Sequence, residues 1–162
     1  MGGQGYQKEA DMAQESEIAL ASLLSPYRAF ITYQPLRTEV AFDFVSFPES
    51  AHIETIPPRA SLDPAEEAIR LTALMGEQPV LMLIPGRLFD TSGTRHGQGG
   101  GWYDRFLSQV PGEWLRIGIC YEDQFSTVPL VRENWDQSMD YVVVVGRSGG
   151  LTLYSTDAGA VL

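Results

Sequence analysis

Three short segments of the chain are apolar almost throughout, and they constrain the fold more than any other feature. They are PVLMLIPG (79–86), LRIGICY (115–121) and MDYVVVVG (139–146), and none of them alternates between polar and apolar residues. Strands that are covered on both faces have this pattern, which is typical of parallel sheets flanked by helices. The sequence therefore predicts an α/β fold, a three-layer α/β/α sandwich with a mostly parallel sheet.

Shorter segments add strands to this sheet. AFITY (29–33) is rich in β-branched and aromatic residues and predicts a strand. Alternating apolar residues in 39–45 favour another strand, although a helix is an alternative for so short a run. LTLY (151–154) predicts an antiparallel edge strand, whereas residues 46–62 contain three prolines and predict a loop.

Helices are predicted between these strands. An apolar face in 18–24 predicts a first helix that ends before Ser25-Pro26. The second helix begins at Asp63-Pro64, where Asp can cap and Pro fits the first helical position, and it ends at Gly76. A third is expected over 102–110. The buried positions predicted for the second helix are Ala68, Ile69, Leu71 and Leu74.

Length and charge narrow the classes of protein. The 162 residues amount to about one domain, which we assign to 17–162 after a flexible leader at 1–16. A net charge of −10 opposes binding to nucleic acid or to an anionic membrane, so neither is an expected partner. Cys120 is the only cysteine, which excludes an intrachain disulfide and favours a cytoplasmic location. The oligomeric state is left open.

A glycine-dense loop carries the strongest functional signal. Four of the five residues 97–101 (GQGGG) are glycine, and a predicted helix follows directly. Backbone amides at such a bend can bind phosphate, with Arg95 neutralising its charge and Asp104 binding Mg²⁺. Each feature has a simpler alternative: a turn without a ligand, a solvated arginine, and an aspartate favoured by the helix dipole alone. The Walker, dinucleotide and G-x-S-x-G motifs are absent, and two histidines with one cysteine make a zinc site improbable.

The same segment resembles a known family. PGRLFDTSGTRHGQGGGWYDRFL (85–107) and IGICYEDQFSTVPLVRENWDQSMDYVVV (117–144) are similar to motifs of the 5-formyltetrahydrofolate cyclo-ligases, also called methenyltetrahydrofolate synthetases. The resemblance covers about residues 79–146, and YQPLRTEV (33–40) is a weaker match. It implies a cyclo-ligase-like α/β domain that uses ATP and Mg²⁺ to convert 5-formyltetrahydrofolate into 5,10-methenyltetrahydrofolate, by phosphorylation of the formyl oxygen and attack by N10.

The resemblance also implies roles for individual residues. Nucleotide binding falls to Arg95, Gly97, Gln98, Gly99, Gly100 and Gly101. Substrate binding falls to Glu39, Trp102 and Tyr103, and metal binding to Asp104. The catalytic residues would be Tyr103 and Arg95.

The sequence departs from the family pattern at its first helix. The family has a basic helix there whose cations reach the nucleotide, whereas residues 9–17 are acidic and Lys8 is the only lysine. His96 and Trp135 replace a Leu and a His of the pattern, and the section 46–78 looks shortened. A catalytically inactive relative that binds folate, nucleotide or a protein partner is therefore the alternative. Activity is favoured if Arg28, Arg37 or Arg59 covers the glycine loop instead.

Overall fold

The computed structural model describes residues 3–58, 62–156 and 160–161. The helices in these residues are α1 (Gly3–Leu24), α2 (Pro64–Met75) and α3 (Trp102–Leu107), with a 3₁₀ turn at Glu122–Gln124. The strands are β1 (Ala29–Tyr33), β2 (His52–Ile56), β3 (Val80–Pro85), β4 (Leu88–Asp90), β5 (Arg95–His96), β6 (Leu115–Tyr121), β7 (Phe125–Ser126), β8 (Tyr141–Val145), β9 (Leu151–Ser155) and β10 (Ala160–Val161).

The main sheet has the strand order β10-β9-β8-β6-β3-β1-β2 in the described residues. The five strands from β8 to β2 pair in parallel, whereas β9 and β10 are antiparallel. The chain passes from β1 to β2 at one edge and then returns to β3 on the other side of β1. The order of strands thus reverses between β1 and β3, and ligands bind at such a point in open α/β sheets.

Two apolar cores cover the faces of this sheet, which confirms the predicted α/β/α layers. Along β3, Val80, Met82 and Ile84 belong to the core that includes residues of α2 and α3. Leu81 and Leu83 belong to the other core, with residues of α1. Every residue of β3 is therefore buried, as the absence of alternation predicts.

The helix and strand predictions are confirmed at most segments and wrong at several. Residues 39–45 form no strand, and the predicted loop 46–62 contains β2, which pairs with β1. The strand at 151–155 is antiparallel, as predicted, but β10 pairs with its outer side, so it is not the edge. Helix α3 ends at Leu107 rather than at residue 110.

The buried face of α2 differs from the predicted one. Asp63 caps the helix by accepting a hydrogen bond from the Glu66 amide, as predicted, but Ile69 is 67% exposed and Leu74 is 47% exposed. The buried residues are Pro64, Glu67, Ala68, Leu71 and Met75. Their spacing of three and four residues is that of one helical face, and it includes a glutamate that the adjacent Arg70 neutralises.

The segment expected to be a leader is helical from Gly3 onward. Near its end, the Ser16 hydroxyl accepts a hydrogen bond from the Leu153 amide at 3.1 Å, which holds α1 to β9. The division of the chain at residue 16 stays a prediction. In the part of the chain that the structure describes, no helix is long and apolar enough to span a membrane.

Candidate active site

A cavity of about 510 Å³ opens at the carboxyl ends of β1, β2 and β3. Tyr33, Ile56 and Pro85, the last residues of these three strands, form its base. The cavity therefore lies beside the point where the strand order reverses, which is where the topology alone would place a ligand.

The glycine loop forms one wall of this cavity. Gly99, Gly100 and Gly101 have φ of 101°, 79° and 65°, a region that residues with a Cβ rarely adopt, and space is open around all three. No amide from 97 to 101 donates to an acceptor within residues 3–58, 62–156 and 160–161. The carbonyl of Gly100 instead accepts from Arg105 Nη2 at 2.9 Å. The amides are thus free to bind an anion.

Arg95 places a buried cation against the same loop. Its side chain is only 6% exposed, and Nε donates to the Pro85 carbonyl at 2.6 Å. Among the described residues, no carboxylate forms an ion pair with Arg95, and its two terminal nitrogens have no acceptor. Burial lowers the pKa of this guanidinium, while surrounding groups such as Tyr103 and Asp104 oppose that shift. Because arginine stays protonated in proteins, this guanidinium brings to the cavity a positive charge that forms no direct ion pair within the described residues.

Aromatic and glycine contacts fix the position of this guanidinium. Its Cζ lies 4.8 Å from the centre of the Tyr103 ring. On the other side, a Cβ added to Gly97 would lie 3.0 Å from Arg95 Nη2, so a side chain there would displace the cation. Burial raises the pKa of Tyr103, partly offset by Arg95, and its hydroxyl therefore stays protonated.

Trp102 anchors α3 next to the cavity. Its indole N–H donates to the Leu62 carbonyl at 2.9 Å, and its ring stacks on Phe106 with centroids 5.2 Å apart. The indole therefore combines a cavity-facing surface with a structural bond to the segment that precedes α2. Trp102 therefore gives the cavity an aromatic surface for a flat ligand.

Three carboxylates also line the cavity. Glu39 Oε1 accepts from the Leu36 amide at 2.9 Å, Asp104 Oδ1 from the Gln137 amide at 3.0 Å, and Asp136 Oδ2 from the Glu133 amide at 2.8 Å. In the described part of the chain, the second oxygen of Asp104 accepts no hydrogen bond. That oxygen suits one coordination position of Mg²⁺, which keeps several waters and takes its other ligands from phosphate. No group of three metal-ligating side chains occurs among the described residues, so a protein cage for a metal is not formed there.

A buried aspartate organises the strand that leads into the loop. Asp90 is 1% exposed; its Oδ1 accepts from Ser92 and Thr94, and its Oδ2 accepts from the Leu130 amide at 2.8 Å. Burial alone would raise the pKa of Asp90, but these hydrogen bonds outweigh it and the pKa is lowered. The ionised carboxylate therefore joins the loop at 92–94 to the segment at 130.

The structure brings all the predicted site residues to one cavity. Its lining includes the predicted Glu39, Arg95, Gly97, Gln98, Gly99, Gly100, Gly101, Trp102, Tyr103 and Asp104. Sequence reasoning missed the contribution of β1 and β2, namely Tyr33, Gln34, Ile56, Pro57 and Pro58. A polar Gln34 and a Pro-Pro pair directly after strands were the available signal, since strand ends meet at one edge of a parallel sheet.

Neither Arg28 nor Arg37, the two described arginines that were candidates to cover the glycine loop, does so. Arg28 donates to the carbonyls of Ser25 and Tyr27, at 2.8 Å each, and neither Arg28 nor Arg37 lines the cavity. Arg59 lies outside the described residues. Among the described arginines, Arg95 and Arg105 line the cavity.

Comparisons with known proteins point to one family. The model of the 5-formyltetrahydrofolate cyclo-ligase family matches residues 11–145. A 5-formyltetrahydrofolate cyclo-ligase of Mycoplasma pneumoniae (strain ATCC 29342 / M129 / Subtype 1) is 26% identical over 143 residues, which cover 84% of this chain and 86% of that protein. One of Mycoplasma genitalium (strain ATCC 33530 / DSM 19775 / NCTC 10195 / G37) is 35% identical over 63 residues, 39% of this chain and 37% of that protein.

A solved structure has the same fold. It is a 5,10-methenyltetrahydrofolate synthetase from Mycoplasma pneumoniae, with a TM-score of 0.51 and 20% sequence identity over 85% of each chain. Every residue that lines the cavity falls within the part of the chain matched by the family model.

Proposed function

This chain belongs to the 5-formyltetrahydrofolate cyclo-ligase family, and we propose that the cavity at the carboxyl ends of β1, β2 and β3 is its active site. The reaction is the ATP-dependent conversion of 5-formyltetrahydrofolate into 5,10-methenyltetrahydrofolate. A formamide oxygen is a poor leaving group, so ATP first phosphorylates it. The neighbouring N10 then attacks the activated carbon, and phosphate leaves with that oxygen.

The observation that carries this assignment is the guanidinium of Arg95, which no described carboxylate pairs with directly although Glu39, Asp104 and Asp136 line the same cavity. A largely buried cation without a direct ion pair is costly, and an anionic ligand lowers that cost. Free loop amides lie beside this cation, and phosphate is the anion that such amides and a guanidinium bind together. Arg95 and the amides of 97–101 are therefore proposed to bind the nucleotide phosphates, with Gln98 lining the same wall.

The protein's part in the reaction is mainly to position groups and to neutralise charge. Phosphoryl transfer spreads negative charge over the phosphate oxygens, and fixed donors in a water-poor site stabilise that charge. Arg95 supplies the cation close to the transferred group, and Tyr103 holds it by its ring and offers a protonated hydroxyl. These two are the proposed catalytic residues.

Asp104 is the proposed metal ligand. Bound Mg²⁺ would neutralise phosphate charge and orient the transferred group. The carboxylate keeps one oxygen free for this purpose while the Gln137 amide holds the other. Asp136 lies on the same wall and adds negative charge beside it.

Trp102, Tyr103 and Glu39 are proposed to bind the folate. The rings of Trp102 and Tyr103 offer flat apolar surfaces for a pterin, and Glu39 offers a carboxylate that can accept from its ring N–H groups. The glycine loop and Arg95 are then left to bind the phosphates. The proposed location of the protein is the cytoplasm, in keeping with the free thiol of Cys120.

The direct test is formation of the methenyl product, followed by its absorbance, from 5-formyltetrahydrofolate with ATP and Mg²⁺. Product that depends on all three is the expected result. Calorimetry with ATP and with the folate should accompany it. Binding of both ligands without turnover, even at high protein concentration, would favour the inactive relative instead, and no binding of either would refute the assignment of the cavity.

A further inference from the structure

The loop that carries Glu39 is attached to other parts of the molecule by three hydrogen bonds, one from its own backbone and two from side chains outside the loop. At its start, the Gln34 amide donates to the Ile56 carbonyl of β2 at 2.9 Å. Within the loop, Glu39 Oε1 accepts from the Leu36 amide, which closes a turn around the carboxylate. The remaining attachments are made by side chains from outside the loop, one on each side of Glu39.

The first of these side chains is Tyr33, at the end of β1. Its hydroxyl donates to the Val40 carbonyl at 2.7 Å, and both residues are buried. Burial raises the pKa of Tyr33, with a further contribution from Glu39, so the hydroxyl remains a donor at any physiological pH. The backbone directly after Glu39 is thereby fixed.

The second is Gln124, which is 86 residues away in sequence from its partner. Gln124 Oε1 accepts from the Tyr121 amide at 2.9 Å, at the end of β6, and Nε2 donates to the Thr38 carbonyl at 3.1 Å. The first bond orients the amide group, and the second uses it to hold the peptide directly before Glu39. Gln124 itself does not line the cavity.

We propose that Gln124 is a positioning residue for folate binding, which holds Glu39 at the cavity wall through the Thr38 carbonyl. Gln124 fixes the peptide group between Thr38 and Glu39, and Tyr33 fixes the one between Val40 and Ala41, so the backbone is held on both sides of Glu39. Such pre-organisation lowers the entropy that the loop loses when a substrate binds. The proposal rests on the proposed role of Glu39 in substrate binding.

The expected effect is specific to the folate. The bond from Gln124 to Thr38 is accessible to solvent, so its loss should raise KM for 5-formyltetrahydrofolate by about twofold to fivefold, at the lower end of what one hydrogen bond contributes. Neither kcat nor KM for ATP should change by more than about twofold, because the glycine loop and Arg95 do not contact Gln124.

Two substitutions separate the bonds of Gln124. Gln124→Ala removes both, whereas Gln124→Glu keeps an acceptor for the Tyr121 amide and loses only the donor to Thr38. Both should raise KM for the folate. The matched control is Asp123→Asn, one residue earlier in the same turn, where the exposed carboxylate pairs with Arg147 and does not contact the Glu39 loop. It should leave KM unchanged.

Amide hydrogen exchange of the peptide 34–40 provides a readout that does not depend on activity. Faster exchange in both Gln124 variants, with the rest of the chain unchanged, is expected. Wild-type kinetics and exchange in Gln124→Glu would overturn the proposal. A Glu39→Gln variant with unchanged folate KM would instead refute the role of Glu39, while faster exchange in the Gln124 variants would still establish the attachment of the loop.

Discussion

Replacing Arg95 with methionine should weaken nucleotide binding while it leaves the fold intact. Methionine has a similar length and removes the charge. In the structure Arg95 is 6% exposed and forms no ion pair with a carboxylate of the described residues. Its charge therefore costs desolvation free energy, which the nearby Asp104, Glu39 and Asp136 offset in part and a bound anion would offset further.

The expected magnitudes follow from the contacts. Exchanging a buried charge for an apolar side chain of similar volume is neutral or stabilising by about 1–4 kcal/mol. Against this stand one charged hydrogen bond to the Pro85 carbonyl, worth about 1.5–3 kcal/mol, and the contact with the Tyr103 ring, worth about 0.5–2 kcal/mol. The free energy of unfolding of Arg95→Met should thus lie within about 2 kcal/mol of the wild-type value. Loss of a charged hydrogen bond to phosphate should weaken ATP binding about tenfold to a hundredfold.

The assay pairs ATP calorimetry with urea unfolding in the absence of ligand. Arg87→Met is the matched control, because Arg87 is exposed, lies outside the cavity lining and carries the same charge. It should leave both quantities unchanged. A loss of 3–5 kcal/mol of stability in Arg95→Met, the typical result of breaking a paired buried charge, would refute the reasoning, as would unchanged ATP affinity.

Three further predictions concern the same region. Gly97→Ala places a Cβ 3.0 Å from the Arg95 guanidinium and should lower kcat/KM for ATP about tenfold with little effect on unfolding, whereas Gly112→Ala, in open space, should be neutral in both assays. The pKa of Asp90 is lower in the folded state than in the unfolded state, so the stabilisation by its carboxylate is complete above the unfolded-state pKa and is lost as the pH falls through the folded-state pKa. The urea midpoint should therefore fall less between pH 5 and pH 3 in Asp90→Asn than in the wild type, and parallel curves would contradict this. Asp104→Asn keeps an acceptor for its backbone partner and should raise the Mg²⁺ concentration for half-maximal activity several-fold at unchanged unfolding free energy; an unchanged Mg²⁺ requirement would remove Asp104 as the ligand.

The apolar strands were predictable because a strand that is buried on both faces is apolar at almost every residue. Strand β2 does not have this continuous apolar pattern. Among the described strands HIETI pairs only with β1 and lies at the edge of the sheet, so its first four residues alternate between half-buried and exposed, and the nearby prolines favour a loop. Residues 39–45 show the opposite error: Val40 and Phe42 of the alternating set pack on a core and Phe44 is exposed, while the segment pairs with no strand of the described chain.

In the candidate site too, some residues could be predicted from local sequence and others depend on contacts between distant segments. Arg95, the glycine run and Asp104 lie within ten residues of one another, so their proximity was a consequence of local sequence and could be predicted, even though the roles of these residues remain proposals. Glu39 was assigned through a weaker family match alone. Its position in the same cavity as the glycine loop depends on parallel pairing of β1 with β3, and on a glutamine 86 residues away from Thr38.

By itself, the sequence determined which segments are buried and where a glycine-dense loop precedes a helix, because hydrophobic patterning and glycine content act over a few neighbouring residues. Only the tertiary structure decided that the ends of β1 and β2 contribute to the cavity, and that no carboxylate among the described residues forms an ion pair with Arg95. These depend on strand order and on contacts between distant segments, for which a single sequence carries no local signal.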